Sequence, residues 1–186
     1  MPTSCLPITG PRRFLLDQFH GLVLAATVQR ASVYRAGAAE GLRDEFRVGL
    51  RQALDDLASA YRRPVGDTVH VRRIVALADR LTREHPRALV RARFRIGPAQ
   101  KARNLYLKYL WSAGWIPMPP HCPFDAVIMG ALPYRHRVSW TQLDTPEGYR
   151  ALVAVAKTVA GAVPLAEWEL REYRRRAPAA RRDRPG

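Results

Sequence analysis

Features that define several protein classes are scarce in this chain of 186 residues. Cys5 and Cys122 are its only cysteines, too few for a disulfide scaffold or a thiolate zinc site. We therefore expect a reducing cytoplasm as its setting, with no metal and no cofactor. The N-terminal segment also lacks the continuous apolar core of a signal peptide or membrane span, because polar residues interrupt Phe14 to Val28.

The sequence has no segment with the sustained apolar–polar alternation of a half-buried strand, and no internal repeat. Apolar residues instead recur at helical spacing in successive segments, which glycine and proline clusters separate. We predict an all-α fold. It should form one compact domain of seven or eight helices over residues 12–173, after an irregular lead-in over residues 1–11.

The charge balance is strongly basic. Lys and Arg total 31 against 16 Asp and Glu, which gives a net charge of +15. Such a surface attracts polyanions, because neutralising phosphates releases condensed counterions. We expect double-stranded DNA as the partner of a monomer, with no membrane and no obligate protein partner. Residues 174–186 form a basic tail without core residues, for which we predict disorder. The arginine excess is also what a GC-rich genome alone would produce.

The stretch from Ile96 to Asp125 holds the densest group of chemically informative residues. A Gly97-Pro98 turn opens a helix, whose free amides and dipole favour a phosphate, although an ordinary helix start reads the same way. Lys101, Asn104 and Lys108 follow at i, i+3 and i+7, on one face. That face is either a site or a solvent-exposed stripe. Asparagine is costly inside a helix, which indicates a hydrogen-bonding role.

The helix ends near Gly114, and a segment rich in proline returns to Asp125. The helix climbs roughly 16 Å at about 1.5 Å per residue. The return can span up to about 40 Å, enough to bring Asp125 back beside Lys101. As the residue before an apolar helix over 126–132, Asp125 is also explained as a helix cap alone. Glu167 or Glu169 could approach the same site, which the sequence does not establish.

These residues carry a resemblance to a known family. The order is the turn Ile96 to Ala99, then Lys101, then Asn104, then Asp125 in HCPFDAVIM. It resembles the helix-hairpin-helix DNA glycosylases of base excision. Ala99 stands where that family has its second hairpin glycine, and no four-cysteine iron–sulfur motif follows. The blocks AQKARNLYLKYLW and PPHCPFD also resemble small prokaryotic proteins, some of them similar to antiviral glycosylases that remove modified bases from phage DNA.

The resemblance implies an all-helical glycosylase that flips a damaged or modified base out of DNA and excises it. It implies catalysis by Asp125, which stabilises positive charge on the sugar or activates water. Lys101 would be an amine nucleophile with associated strand cleavage, or only a DNA contact. The remaining implied roles are DNA contacts at Gly97, Ala99, Gln100, Asn104 and Lys108, and a base pocket lined by Trp111, Trp115 and His121.

Two other functions fit the same residues. In the first, the protein is a non-enzymatic, basic, helical protein that binds nucleic acid. Lys101 and Lys108 would then contact the DNA backbone, and Asp125 would only cap a helix. In the second, a toxin-like or regulatory protein uses its charge on a protein partner, and this predicts little salt-sensitive DNA binding.

Overall fold

The computed structural model describes residues 9–28, 31–133 and 139–176. These residues form seven α-helices and no strand, which confirms the all-helical prediction; the one β-bridge is isolated and joins Tyr34 to Leu89. The lead-in before Thr9 and the basic tail after Arg176 lie outside the described residues. The helices are α1 (Gly10–Val28), α2 (Glu40–Ala58), α3 (Asp67–Glu84), α4 (Ile96–Ser112), α5 (Ala126–Ala131), α6 (Pro146–Ala160) and α7 (Leu165–Arg176), with short 3-10 helices at Ser59–Tyr61, Val90–Ala92 and Trp140–Gln142.

Helix α4 is the central element. It packs against α1, α2, α3, α6 and the 3-10 helix Trp140–Gln142. Because neighbours surround it, 13 of its 17 residues are buried, the polar Gln100, Lys101, Arg103 and Asn104 among them. On an isolated helix, water would hydrate these polar side chains. Because burial removes that water, the surrounding protein must supply a hydrogen-bond partner for each of them.

The outer helices are amphipathic and turn their apolar faces inward. In α2, Phe46, Leu50 and Leu54 are buried, and in α3 the buried set includes Ile74 and Leu81. These positions recur three or four residues apart, which places them on one face of each helix. The predicted core faces of both helices are therefore confirmed.

Asp144 and Asp67 are of a residue type that often caps helices, but neither one caps the helix that it precedes or begins. Thr145, and not Asp144, caps α6: its side chain accepts a hydrogen bond from the backbone N–H of Gly148. The Asp144 carboxylate instead accepts hydrogen bonds from Arg93 Nε, at 2.7 Å, and from the Ile96 backbone N–H, at 3.4 Å. Asp67 lies within the first turn of α3 and makes no cap hydrogen bond.

No single helix in the described part of the chain is long and apolar enough to cross a membrane. Helices α6 and α7 reach the required length and composition only as a pair, with a bend of 74° between them.

Candidate active site

The structure brings Lys101 and Asp125 together, as the sequence geometry allows. Lys101 Nζ contacts Asp125 Oδ2 directly. The lysine side chain is 6% exposed and the aspartate side chain 20% exposed, so the pair reaches solvent mainly through Asp125. Burial lowers the pKa of the Lys101 ammonium, and the Asp125 carboxylate opposes that shift only in part. A buried lysine of this kind has a larger neutral fraction than an exposed one, and the neutral amine is the nucleophilic form.

Asp125 has two separate roles through its two oxygens. Oδ1 accepts hydrogen bonds from the backbone N–H groups of Val127, at 3.0 Å, and Ile128, at 3.1 Å, at the start of α5. Oδ2 meets Lys101. Asp125 therefore does cap α5, but capping explains only the contacts of Oδ1 and not the contact of Oδ2 with Lys101.

The segment that returns to Asp125 (residues 113–125, the return segment) is held to α4 by side-chain amides. Gly114, at φ 72°, allows the chain to reverse after α4. Gln100 Nε2 donates to the Phe124 carbonyl at 2.8 Å, and the Phe124 N–H donates back to Gln100 Oε1 at 3.2 Å. Asn104 Nδ2 donates to the Cys122 carbonyl at 2.8 Å. These bonds hold the return segment at positions one and three residues before Asp125.

A second ion pair lies on the same face of α4. Lys108 Nζ is 2.7 Å from Glu169 Oε2, and Glu169 on α7 has a side chain only 3% exposed. Burial raises the pKa of Glu169, whereas Lys108 works against that shift. An aromatic ring lies near each lysine. The ring centroid of Trp140 is 5.6 Å from Lys101 Nζ, and the ring centroid of Tyr173 is 5.0 Å from Lys108 Nζ. Of the two glutamates considered from the sequence, Glu169 is the one that reaches this face.

The Gly97 turn is closed to a phosphate in this conformation. The Ile96 N–H meets Asp144 Oδ1 at 3.4 Å, and the Gly97 N–H donates to the Leu143 carbonyl at 2.7 Å. The Ala99 N–H donates to the Arg95 carbonyl at 3.1 Å, so each amide of the first turn has an internal acceptor. The glycine is required for packing, because a Cβ at position 97 would stand 1.7 Å from the Trp140 carbonyl oxygen.

The residues predicted as DNA contacts are therefore mostly structural. Gly97, Ala99, Gln100 and Asn104 are buried in α4, where a DNA strand has no access to them. Lys108 is half-buried and paired with Glu169. The residues that resemble a hairpin motif in their order therefore lie in the protein interior, and not on a surface that DNA could contact. We therefore reassign Gln100 and Asn104 from DNA contacts to residues that position the return segment.

Asn104 also connects the site to a buried polar network that sequence reasoning missed. His70 Nε2 donates to Asn104 Oδ1 at 2.8 Å, and Tyr61 OH donates to His70 Nδ1 at 2.7 Å. On the other side Asn104 Nδ2 is 3.1 Å from the hydroxyl of Tyr149, which contacts His121 Nδ1 at 2.9 Å. Burial lowers the pKa of His70 well below its usual value, so this ring is neutral. The predicted hydrogen-bonding role of asparagine 104 is confirmed.

The three residues predicted to line a base pocket do not meet in either of two cavities that the described residues form. Trp115 lines a cavity of about 510 Å³ between α1, α2 and α4. His121 lines another, of about 300 Å³, between α3 and α6. Trp111 is half-buried and lines neither. The common pocket was inferred from closeness in sequence, but the turn at Gly114 sends the chain away from Trp111 before it reaches His121. Neither of these two cavities therefore supports a common base pocket.

No protein family, curated protein or solved structure matches this chain. Its function must therefore be inferred from the geometry of its own residues.

Proposed function

We propose that the protein is a DNA N-glycosylase, which breaks the bond between a damaged or modified base and its sugar. The observation that carries the proposal is the contact between the buried Lys101 ammonium and the Asp125 carboxylate, at the N-terminus of α5. The net charge of +15 gives the protein the electrostatic attraction to nucleic acid that such an enzyme needs.

The chemistry follows from the two side chains. A nucleotide flipped out of the duplex presents the C1′ carbon of its sugar to the pair. As the C–N bond breaks, the base leaves with the bonding electrons and positive charge develops on the sugar. The Asp125 carboxylate, fixed by the two amides of α5, stabilises that charge. In its neutral form, Lys101 attacks C1′ as the base departs, and the base takes up a proton from water. The amine passes a proton to Asp125, which returns it to the ring oxygen O4′ as the C1′–O4′ bond breaks and the Schiff base forms.

The substrate must approach from the Asp125 side of the pair, since the aspartate is the more exposed partner. Lys108 and Glu169 contribute indirectly in this scheme. Glu169 neutralises the second lysine on the same face of α4, so that Lys108 adds less repulsion to a protonated Lys101. Phosphate binding is assigned to the arginine-rich surface and not to the amides of the Gly97 turn, because those amides have internal acceptors.

The test is a base-excision assay. Purified protein is incubated with duplexes that contain uracil, 8-oxoguanine or alkylated bases, and with phage DNA that carries hydroxymethylated or glucosylated cytosine. Alkali then reveals abasic sites. Activity on the phage DNA would indicate defence, and activity on the damaged bases would indicate repair.

Borohydride tests the role of the lysine, because it reduces a Schiff base to a stable adduct. The chain offers a clean assignment, since Lys101, Lys108 and Lys157 are its only lysines. An adduct on the peptide with Lys101 identifies the nucleophile. Excision without an adduct means that Asp125 acts with water instead.

The exposed pair Lys157–Asp67 is the matched control, because both of its side chains are 47% exposed. We expect Asp125→Asn to abolish excision and Asp67→Asn to retain it. Equal loss in the two variants would mean that neither aspartate is specific to the reaction.

A second candidate is a nucleic-acid-binding protein without catalytic activity. The burial of Lys101 and the capping role of Asp125 favour it, because both residues then have sufficient structural reasons to be present. This candidate predicts tight, salt-dependent DNA binding and no abasic site on any substrate. A linear fall of the logarithm of affinity with the logarithm of salt concentration would give the number of phosphates contacted.

A further inference from the structure

The cavity between α1, α2 and α4 lies away from the Lys101–Asp125 pair. Its residues on α4 are Tyr106 and Leu110. At about 100° per residue, these point to the opposite side of α4 from Lys101 and Lys108. Its volume of about 510 Å³ is in the range of small-molecule pockets. No part of the proposed reaction uses it.

The rim of this cavity is strongly cationic. Arg12, Arg13, Arg51 and Arg62 all line it. Asp17 pairs with Arg51 and lies 3.9 Å from Arg13, so that one carboxylate offsets part of the charge. The Arg12 guanidinium is held over the face of Trp115, 4.5 Å from the ring centroid. A guanidinium stacked in this way is preorganised and keeps its N–H donors for an anion.

The cavity also contains a fixed hydrogen-bond acceptor. Asp55 Oδ1 receives a hydrogen bond from Tyr106 OH at 2.5 Å and lies 3.0 Å from His20 Nε2. The other ring nitrogen, Nδ1, is 2.7 Å from the Leu16 carbonyl, so both nitrogens of this buried histidine face oxygen acceptors. Two contacts therefore orient the Asp55 carboxylate through one oxygen. Among the described residues, Oδ2 accepts no hydrogen bond, although the side chain is 47% exposed.

The remaining wall is apolar and includes Leu16, Leu110 and Ile116 beside the Trp115 ring. A bare phosphate ion would leave this wall unused, and an apolar molecule would leave the arginines unused. A nucleoside phosphate uses all three parts of the cavity. Its phosphate matches the arginines, its flat base matches the apolar wall, and a sugar hydroxyl or base amine can donate to Asp55.

We propose that this cavity binds a nucleoside phosphate, with the phosphate on Arg12 and Arg51, and a hydroxyl or amine on Asp55. The nucleotide is either free or part of a nucleic-acid strand, and the chemistry of recognition is the same. The site is independent of Lys101 and Asp125, so this proposal holds or fails separately from the proposed function.

Isothermal titration of the full chain with AMP, adenosine and inorganic phosphate tests the proposal. We expect AMP to bind at least about tenfold more tightly than either fragment, since charge-assisted hydrogen bonds and apolar contact are then made together. Arg12→Ala should weaken AMP binding by about tenfold or more. Arg12 is exposed, so this variant should fold. Asp125→Asn should leave the affinity for AMP unchanged.

Arg171→Ala is the matched control, because it removes the same charge from an exposed position on α7, which packs against α5 and α6. Single-stranded oligonucleotides with a 5′ phosphate or a 5′ hydroxyl distinguish the two sources. Arg12-dependent binding of AMP identifies the free nucleotide. Arg12-dependent binding of only the phosphorylated oligonucleotide identifies the strand. The proposal is overturned if no nucleotide binds more tightly than inorganic phosphate, or if Arg171→Ala weakens binding as much as Arg12→Ala.

Discussion

A double-mutant cycle on Lys101 and Asp125 tests whether the pair is energetically coupled. Asp125→Asn keeps the cap of α5, because asparagine caps as well as aspartate. It nevertheless leaves the Lys101 ammonium, which is 6% exposed, without its counter-charge. Loss of one partner of a buried pair costs about 3–5 kcal/mol. We expect about 3 kcal/mol here, since one-fifth exposure of the aspartate side chain reduces the desolvation penalty.

Lys101→Met should cost less, about 1.5 kcal/mol, because the Asp125 carboxylate keeps two backbone N–H donors and some solvent. The double variant has no unpaired charge at either position, so its free energy of unfolding should lie within about 1 kcal/mol of that of the wild type. The coupling energy is then about 3.5–4.5 kcal/mol, the sum of the two single costs less the cost of the double variant. Urea unfolding measures it from the midpoints, provided that the slope m is unchanged.

The same cycle on Lys157 and Asp67 provides the reference. Both side chains of that pair are 47% exposed, so solvent screening should hold the coupling below about 1 kcal/mol. The reasoning is refuted if the Lys101–Asp125 coupling is no larger than that of the exposed pair.

Three further predictions follow from the structure. Gly97→Ala should destabilise the fold by about 3 kcal/mol or more in urea, since its Cβ would stand 1.7 Å from a carbonyl oxygen. The control is Gly21→Ala, at an exposed position of α1 with open space around it, which should stabilise the fold by up to about 1 kcal/mol. Equal changes in stability for Gly97→Ala and Gly21→Ala would contradict the packing role of Gly97. Burial lowers the pKa of His121 to about 4, below its unfolded value near 6.5, so the unfolded state binds more protons between these values. Stability should fall by up to about 3 kcal/mol from His121 alone as pH drops through that window, and His121→Gln should flatten the pH profile of the urea midpoint. Glu169→Gln should cost about 2 kcal/mol because it leaves Lys108 unpaired near the surface, and an unchanged midpoint would show that this ion pair contributes nothing.

The all-helical class was predictable from the sequence because the outer helices carry clear patterns. The apolar positions of α2 and α3 repeat with helical spacing, and Gly161, at φ 63°, ends α6 three residues before Pro164, as a glycine and proline cluster predicts. The residue that caps α6 is not decided by residue type. Asp144 and Thr145 are both good caps by type, and only the contacts of Asp144 with Arg93 and Ile96 decide between them.

The site was predictable in part. The lengths of α4 and the return segment allow the approach of Lys101 to Asp125, which the structure contains. The hydrogen-bond partners of Gln100 and Asn104 were not predictable, because local spacing does not reveal which segments pack around α4. An amide side chain on a solvated face is free to contact DNA, but the same side chain in the interior must satisfy the backbone of a neighbouring segment.

The charged partner of Lys108 could not be found from local pattern either. Glu169 is 61 residues further along the chain, and no local spacing links the two. The polar network around His70 is similar, since its members come from α3, α4, α6 and the return segment. In each case the sequence identifies an unusual polar residue in an apolar setting, and only the packing identifies its partner.

The most direct test of the proposed function is base excision by the wild type and by Asp125→Asn on the same panel of DNA substrates. Folding is verified by the urea midpoint, and DNA affinity is measured at a fixed salt concentration. The account predicts abasic sites with the wild type and with Asp67→Asn. For a folded Asp125→Asn protein that still binds DNA, it predicts a rate lower by about 100-fold or more. Abasic sites produced at the wild-type rate by Asp125→Asn, or no abasic sites on any substrate with the wild type, would contradict it.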